Sequence, residues 1–310
     1  MPDIIISEFM DEAAIKARLS GRDYVYDATL VDDEPRLRAA IKDARAIIVR
    51  NRTEVRRPLL DAAPRLKVVG RLGVGLDNID MDACKARDIE VFPATGANDI
   101  AVAEYVIASA MALVRGAYAS SADVAAGKWP RNALIGGEVS GRMLGLVGYG
   151  AIARETAARG RALGLRIAAF DPYLAADAPQ WRDATPMPLD RLLAEADIVS
   201  LHTPLTAETR RMINAGAIAR MKPTAVLINA ARGGVVDEDA LAEALRAGRL
   251  AGAALDVFEK EPLSATAGAK FAGLANLILT PHIAGVTAES NVRVSYVTLD
   301  HVIAALDRRL

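Results

Sequence analysis

The feature that most constrains the fold is a regular alternation of short β-branched runs with longer segments of helical period. Runs such as DIIIS, AIIVR and LKVVGRL are followed by segments rich in Ala, Leu and Arg, such as DEAAIKARL and DMDACKARD. Short apolar runs of this kind indicate strands buried on both faces, and the segments between them are long enough to be crossover helices. The alternation therefore predicts an α/β chain built on parallel sheets.

The alternation occurs twice, and one long helical segment at 99–126 separates the two parts before GKWPRN ends it. In the second part, helices are predicted at 151–163, 189–194 and 237–247, with a terminal helix at 287–308. The strands predicted there are RMLGLVG, RIAAF, DIVSL, TAVLIN, LAGAALDV and NLILTP. A chain of 310 residues with 52% apolar side chains can bury two cores. We predict two doubly wound parallel-sheet domains.

Charge and cysteine content exclude several classes of partner. A net charge of −1 provides no overall field for nucleic acid or for an anionic membrane, so neither is expected as a partner. The single cysteine, Cys84, excludes an intrachain disulfide and a thiolate metal cluster, and no HxxxH spacing is present, so no metal site is expected. The N-terminus MPDIIISEFMDE lacks the basic region of a signal peptide, and we expect a cytoplasmic protein.

A glycine turn links the strand RMLGLVG to a helical pattern. The spacing is GxGxxA, with Gly148, Gly150 and Ala153, and it suits a tight turn whose following helix offers free N–H groups to a pyrophosphate. Asp171 ends the next strand about 20 residues later, where a carboxylate binds ribose hydroxyls and repels a 2′-phosphate. We predict NAD and not NADP; the alternative is that Asp171 only caps a turn.

Three histidines are candidates for proton transfer. His202 and His282 each follow a predicted strand, whereas His301 lies in the terminal helix among charged neighbours. Ligands of open α/β sheets bind beyond the carboxyl ends of the strands, so His202 and His282 are the positional candidates and His301 is expected on the surface.

Charged residues also follow two other predicted strands. Arg232 comes after one, and Asp256, Glu259 and Glu261 come after another; taken singly, each could form a structural salt bridge. Together they suit hydride transfer on a 2-oxo acid, because a guanidinium binds a carboxylate and polarises a carbonyl. An imidazole delivers the proton, and a nearby carboxylate keeps it a competent donor, which fits His282 with Glu261.

Several of these segments together resemble one enzyme family. NDIAVAE, GLVGYGAIA, LHTPLTAET, NAARGGVVDEDAL, ALDVFEKEP and LTPHIAG, in this order, resemble the D-2-hydroxyacid dehydrogenases, and GRLGVGLDNID resembles their substrate loop. The resemblance covers nearly the whole chain. It implies an NAD-dependent enzyme in which His282 is the acid/base, Glu261 supports it and Arg232 orients the substrate.

The resemblance also implies two sets of binding residues, including backbone amides of Val74 and Gly75 for the substrate carboxylate and a contact of Asp256 with the nicotinamide amide. The implied cofactor-binding residues are Gly148, Gly150, Ala151, Ile152, Asp171, His202, Thr203, Pro204, Thr209, Ala230, Asp256 and Gly285. The implied substrate-binding residues are Arg50, Asn51, Arg52, Leu72, Gly73, Val74, Gly75, Arg232 and His282.

The family architecture implies a discontinuous chain path. Residues 1–97 and 287–310 are expected to form a flavodoxin-like substrate domain, and residues 98–286 an NAD-binding Rossmann domain. The long helix that starts at Asp99 is expected to lie in a homodimer interface formed by the cofactor domains.

A basic stretch between 45 and 71 bears on the substrate. Arg50, Asn51 and Arg52 follow the strand AIIV, and an arginine there could pair with a phosphate or sulfonate at C3; the alternative is a solvated loop. ISEFMDEAA and VRNRTEV resemble members of the family that act on (S)-3-sulfolactate. We expect a D-configured 2-hydroxy acid with an anionic C3 group, such as (S)-3-sulfolactate. 3-Phosphoglycerate, glycerate or hydroxypyruvate, and glyoxylate are alternatives, and an NAD-sensing corepressor-like binding protein is the alternative of another class.

Overall fold

The computed structural model describes residues 2–309, and these form two compact units. The first unit contains the chain up to Asn98 together with the segment from Val286 onward. The second unit is Asp99–Gly285.

The first unit is a five-stranded parallel sheet with helices between its strands. The strand order is β2-β1-β3-β4-β5, which is the flavodoxin-like arrangement. The strands are β1 (Ile4–Ile6), β2 (Tyr24–Tyr26), β3 (Ala46–Val49), β4 (Val68–Arg71) and β5 (Glu90–Pro93). The helices are α1 (Glu12–Leu19), α2 (Glu34–Ile41), α3 (Arg57–Asp61) and α4 (Met81–Ala86).

The second unit is a seven-stranded parallel sheet, after which the chain returns to the first unit as a last helix, α12 (Ala288–Asp307). The helices of the second unit are α5 (Asp99–Arg115), α6 (Ser121–Ala125), α7 (Ala151–Ala162), α8 (Leu189–Glu195), α9 (Ala215–Arg220), α10 (Glu238–Arg246) and α11 (Ala265–Gly268). Its strands are β6 (Met143–Val147), β7 (Arg166–Phe170), β8 (Thr185–Pro186), β9 (Ile198–Leu201), β10 (Val226–Asn229), β11 (Gly252–Leu255) and β12 (Leu277–Leu279). The two parallel sheets confirm the predicted fold class.

The strand order of the second sheet, β12-β11-β10-β9-β6-β7-β8, is that of a Rossmann fold. Strand β6 pairs with β7 on one side and with β9 on the other, so the direction in which the chain crosses over reverses at β6. Ligands of open α/β sheets bind outside the carboxyl ends of the strands at such a reversal. The loops that follow β6 and β9 are therefore the places where a cofactor is expected.

The prediction of one continuous helix over residues 99–126 is wrong, because the structure has two helices there. Helix α5 ends at Arg115, Gly116 adopts a φ of +66°, and a short 3₁₀ turn precedes α6. A glycine with positive φ ends a helix at low steric cost, so Gly116 redirects the chain. In residues 2–309 no single helix has the length and apolarity to cross a bilayer; α5 together with Tyr118–Ala125 reaches that threshold only as a pair bent by 70°.

Candidate active site

The loops after β10 and β11 pack against each other through a glycine. A Cβ atom on Gly233 would lie 1.7 Å from the carbonyl oxygen of Phe258, so no other residue fits there without moving the backbone. This contact brings the Arg232 loop against the Phe258 loop that leads to Glu261. The close approach of the two backbones thus explains the first glycine of the RGG sequence without reference to any ligand.

His282 and Glu261 form a direct hydrogen-bonded pair. The Nδ1 atom of His282 lies 2.7 Å from Oε2 of Glu261, which leaves Nε2 as the ring nitrogen free to face a reactant. Burial acts to raise the pKa of Glu261, but the His282 ring, the Phe258 N–H and Arg232 outweigh it, and the pKa lies below the usual glutamate value. Glu261 is therefore ionised near neutral pH, and its carboxylate accepts a hydrogen bond from Nδ1–H of the ring.

Asp256 lies at the end of β11 and is 1% exposed. Its carboxylate accepts the N–H groups of Ile283 and Ala284, each at 2.8 Å, and the hydroxyl of Thr280 at 2.6 Å. These three contacts tie the Asp256 carboxylate to the segment that carries His282. The contact with the nicotinamide amide that the resemblance implies stays a prediction.

Glu259, the third acidic residue after β11, has a structural role. Glu259 pairs with Arg211 at 3.1 Å, and its backbone N–H donates to the buried Glu238 at 2.6 Å. Of the three acidic residues in this stretch, Glu261 is the one whose carboxylate contacts a histidine ring. Glu259 therefore forms a structural salt bridge, and Glu261 belongs to the candidate catalytic pair. The sequence alone did not distinguish these two roles.

His202 has a different environment from His282. Its Nε2 lies 3.0 Å from the hydroxyl of Ser200, and burial lowers the pKa of His202 to about 4. The ring is therefore neutral at physiological pH and is a poor proton donor there. His301 is exposed on α12, as expected.

Arg232 is half-buried directly after β10. Its Nη1 donates to the Ala231 carbonyl oxygen at 2.6 Å, and its own carbonyl oxygen accepts from the side chain of Asn229 at 2.9 Å. The carbonyl oxygen of Arg232 is thereby fixed to the strand end, and the guanidinium lies against the preceding peptide group. A planar guanidinium on a fixed backbone can bind a carboxylate with two parallel hydrogen bonds.

The glycine turn after β6 has the geometry that a dinucleotide requires. Gly148 has a φ of +88°, and a Cβ there would lie 2.6 Å from the carbonyl oxygen of His202. A Cβ on Gly150 would meet no atom within 4 Å, and α7 begins without a side-chain cap, so no capping side chain occupies its first N–H groups. Ala153 is fully buried beneath the turn, which explains why a small residue stands at the third position.

Asp171 makes two backbone contacts at the end of β7. Its Oδ2 accepts from Tyr149 N–H at 2.9 Å and its Oδ1 from Tyr173 N–H at 3.0 Å. The turn-capping contact is therefore present, and carboxylate oxygens retain lone pairs for ribose hydroxyls.

The residues around the turn fit a bound NAD. Thr203 has a buried hydroxyl with no hydrogen-bond partner among residues 2–309, and it lies after β9 beside the glycine turn. The N–H groups of Ala151 and Ile152 would hold the pyrophosphate, and Asp171 the adenosine ribose. The other predicted cofactor residues, Pro204, Thr209, Ala230 and Gly285, lie in the loops after β9, β10 and β12.

In the first unit, the loop after β3 is anchored by a buried carboxylate. Glu8 is 4% exposed and accepts the N–H groups of Arg50 at 2.8 Å, Thr53 at 2.9 Å and Arg52 at 3.2 Å. On the other side, the side-chain amide of Asn78 donates to the carbonyl oxygens of Thr53 at 2.7 Å and Arg50 at 3.2 Å. The backbone of the loop is therefore held on both sides by buried side chains.

The two arginines of this loop differ. Arg52 is 58% exposed and forms an ion pair with Asp32, while Asn51 is also exposed. Arg50 is half-buried, its Nη2 donates to Asn291 at 2.9 Å, and its guanidinium lies 5.7 Å from the centre of the Phe9 ring. Burial lowers the pKa of Arg50.

The segment predicted to bind the substrate carboxylate follows β4. Leu72 and Gly73 are buried, and their N–H groups donate to backbone carbonyl oxygens at 2.8 Å. In the part of the chain that the structure describes, the N–H groups of Val74 and Gly75 donate to no protein acceptor. Two adjacent free amides can bind a carboxylate.

Comparison with known proteins identifies the family of this chain. A family model described as the NAD-binding domain of D-isomer specific 2-hydroxyacid dehydrogenases matches residues 107–284. The chain therefore belongs to the D-isomer specific 2-hydroxyacid dehydrogenase family and is an NAD-dependent enzyme of that class, which confirms the predicted class and cofactor.

Individual relatives are similar over the whole chain. The chain is 54% identical over 310 residues to (S)-sulfolactate dehydrogenase of Chromohalobacter salexigens, with 100% of both chains covered. It is 37% identical to D-3-phosphoglycerate dehydrogenase of Synechocystis over 95% of this chain but only 52% of that longer protein. Among solved structures, D-lactate dehydrogenase from Aquifex aeolicus complexed with NAD and lactic acid has a TM-score of 0.87 and 31% identity, covering 98% of this chain and 96% of that one.

Sequence reasoning missed four polar residues that shape these loops. Glu8 and Asn78 fix the Arg50 loop. Thr280 contacts Asp256 directly, and Tyr105 contacts Thr280. Thr280 stands two residues before His282 in LTPHIAG, which is a weak local signal. The other three are distant in sequence from the loops they hold and give no local signal.

Proposed function

We propose that this enzyme interconverts (S)-3-sulfolactate and 3-sulfopyruvate with NAD. The observation that carries the substrate assignment is the half-buried guanidinium of Arg50, held by Asn291 on an anchored loop. The 54% identity to an (S)-sulfolactate dehydrogenase supports the same substrate. The S descriptor agrees with D-like geometry, because replacing a methyl group by CH2SO3⁻ inverts the priority of the substituents at C2.

The proposed chemistry assigns one task to each side chain. In the oxidation direction, Nε2 of neutral His282 accepts the hydroxyl proton as the carbonyl forms, and Glu261 stabilises the resulting imidazolium. Arg232 binds the C1 carboxylate and the C2 oxygen, with the amides of Val74 and Gly75 as further donors to the carboxylate. NAD, when bound, accepts the hydride that leaves C2.

Arg50 is proposed to bind the sulfonate. Among the described residues its guanidinium has no carboxylate within ion-pairing distance, and its Nε is shielded from solvent without a hydrogen-bond partner. Removing a guanidinium from water is costly unless an opposite charge compensates. The Glu8 carboxylate offsets part of this cost from a distance, and a bound sulfonate would supply a direct ion pair. Arg52, by contrast, already pairs with Asp32. A phosphate on C3 satisfies the same charge requirement, so 3-phosphoglycerate is the nearest alternative.

We also propose a homodimer formed through the second unit. Large apolar side chains are exposed along α5, α6 and the loop that follows; they are Ile100, Met111, Tyr118, Val124, Trp129 and Ile135. Exposed apolar side chains gathered on one segment mark protein interaction surfaces. The cytoplasmic location expected from the sequence stays a prediction.

The substrate proposal is tested by comparing Arg50→Ala with Arg52→Ala. Loss of a charged hydrogen-bond partner lowers kcat/KM for (S)-3-sulfolactate by about 10- to 100-fold in Arg50→Ala. Arg52→Ala, the matched control two residues away, changes it by less than about fivefold, because an exposed ion pair contributes little. Steady-state rates of NADH formation measure both.

D-Lactate, which has no second anion, provides the internal control. Arg50→Ala should leave kcat/KM for D-lactate near that of the unchanged enzyme, because no group of lactate reaches the sulfonate position. An equal loss on lactate and sulfolactate would mean that Arg50 only stabilises the loop, and the sulfonate assignment would be wrong.

A further inference from the structure

A chain of hydrogen bonds leads from α5 to the loop that carries His282. The hydroxyl of Tyr105, on α5, lies 2.7 Å from Oγ1 of Thr280. Oγ1 of Thr280 in turn lies 2.6 Å from Oδ1 of Asp256. Neither Tyr105 nor Thr280 has a place in the chemistry proposed above.

The direction of these hydrogen bonds follows from the number of protons available. A threonine hydroxyl has one proton, and Thr280 donates it to the carboxylate of Asp256, which has none to give. The proton between Tyr105 and Thr280 must therefore come from the tyrosine. Tyr105 donates to Thr280 and Thr280 donates to Asp256, and bonds aligned in this way strengthen one another.

Asp256, the last acceptor in this series of hydrogen bonds, fixes the backbone around His282. Asp256 accepts the N–H groups of Ile283 and Ala284 through its carboxylate and that of His282 through its carbonyl oxygen, all at 2.8 Å. His282 itself has a φ of +57°, in the left-handed region that residues with a Cβ rarely adopt. Such a conformation persists only where the surroundings hold it, and here Asp256 supplies three of the contacts.

The His282 ring is therefore placed from two sides. Glu261 orients the ring through Nδ1, and Asp256 sets the backbone from which the ring projects. A displacement of about 1 Å at a reacting group can cost 10²-fold in rate. The hydroxyls of Tyr105 and Thr280, which orient Asp256, therefore help to set the position of Nε2 of His282.

We propose that Tyr105 and Thr280 are positioning residues for proton transfer, acting through Asp256 on the backbone of His282. The proposal rests on the acid/base role of His282 in the proposed function. It predicts that removal of either hydroxyl slows the proton-transfer step by a larger factor than it weakens cofactor binding. It also predicts that Tyr105 acts only through Thr280.

The test is a double-mutant cycle with Tyr105→Phe and Thr280→Val, each of which keeps the shape of the side chain. We expect kcat to fall about fivefold in Tyr105→Phe, which removes one neutral hydrogen bond. In Thr280→Val, which removes the donor to Asp256, we expect a fall of about 10- to 100-fold. The double variant should match Thr280→Val alone, because the hydrogen bond of Tyr105 is linked to Asp256 through Thr280. Thr280→Ser should restore the rate.

Two readouts and a control variant separate positioning from a general structural effect. The solvent deuterium isotope effect on kcat should rise in Tyr105→Phe and Thr280→Val, because proton transfer becomes more rate-limiting, while the Kd for NADH changes by a smaller factor than kcat. Tyr296→Phe, a half-buried tyrosine on α12 with no hydroxyl hydrogen bond in the described structure, is the matched control and should behave as the unchanged enzyme. Multiplicative effects in the cycle, or an unaltered isotope effect with wild-type kcat, would overturn the proposal.

The failure of this proposal can be told apart from failure of the proposed function. If His282→Ala retains turnover, the acid/base assignment is wrong and the positioning proposal is wrong with it. If His282→Ala is inactive and Tyr105→Phe with Thr280→Val are both fully active, only the positioning proposal is wrong.

Discussion

The His282→Ala enzyme is expected to lose about 10²- to 10⁴-fold in kcat, which is the contribution that a positioned general acid or base makes. The loss should appear in both reaction directions, because the same ring accepts the proton in one and returns it in the other. The Kd for NADH, measured by fluorescence titration, should stay close to that of the unchanged enzyme, since the proposed pyrophosphate and ribose contacts lie at the turn after β6 and the His282 ring is not among the proposed cofactor contacts. The separation of kcat from cofactor affinity is the informative result.

His301→Ala is the matched control for this substitution. His301 is an exposed histidine on α12, and its removal should leave kcat unchanged. His202 is no substitute for His282 as a proton donor near neutral pH, because burial lowers the pKa of His202 to about 4 and keeps its ring neutral. Turnover at the unchanged rate in His282→Ala would contradict the acid/base assignment.

The second large effect is expected for Arg232→Lys, which keeps the charge and removes the planar guanidinium. An ammonium group cannot bind a carboxylate with two parallel hydrogen bonds while also polarising the C2 oxygen. Loss of one donor to a developing oxyanion costs about 10²- to 10³-fold in kcat, and a loss of that size is expected here. Rates with saturating NAD over a range of hydroxy acid concentrations give kcat and KM separately.

Arg211→Lys provides the matched control. Arg211 forms an exposed ion pair with Glu259 in the same region of the second unit, so lysine should replace it with little change in rate. If Arg232→Lys were as active as Arg211→Lys, Arg232 would have no bidentate role, and its position after β10 would be structural only.

The elements that carry the site could be predicted from sequence because their patterns are local. The strands are runs of Ile, Val, Leu and Ala buried on both faces, and most of them were found within a residue or two. The GxGxxA turn was recognisable because a strand precedes it and a helix follows. The pairing of Glu261 with His282 followed from chemistry, and the structure places their side chains 2.7 Å apart.

The rest depended on contacts that no local pattern encodes. Tyr105 and Thr280 are 175 residues apart, and only the assembled sheet brings them together. The break at Gly116 was missed because a single glycine in an Ala-rich helical pattern is often tolerated. Which of Arg50 and Arg52 is paired with an acid depended on Asp32, in a segment distant from both in sequence.

The most direct test of the central claim is the specificity of the unchanged enzyme with NAD. Initial rates of NADH formation are measured on (S)-3-sulfolactate, D-3-phosphoglycerate, D-glycerate and D-lactate at the same pH and ionic strength. We expect the highest kcat/KM for (S)-3-sulfolactate, with glycerate and lactate lower by at least about tenfold because they lack the second anion. A preference for glycerate or lactate would contradict the assignment of Arg50, and a preference for 3-phosphoglycerate would contradict the sulfonate.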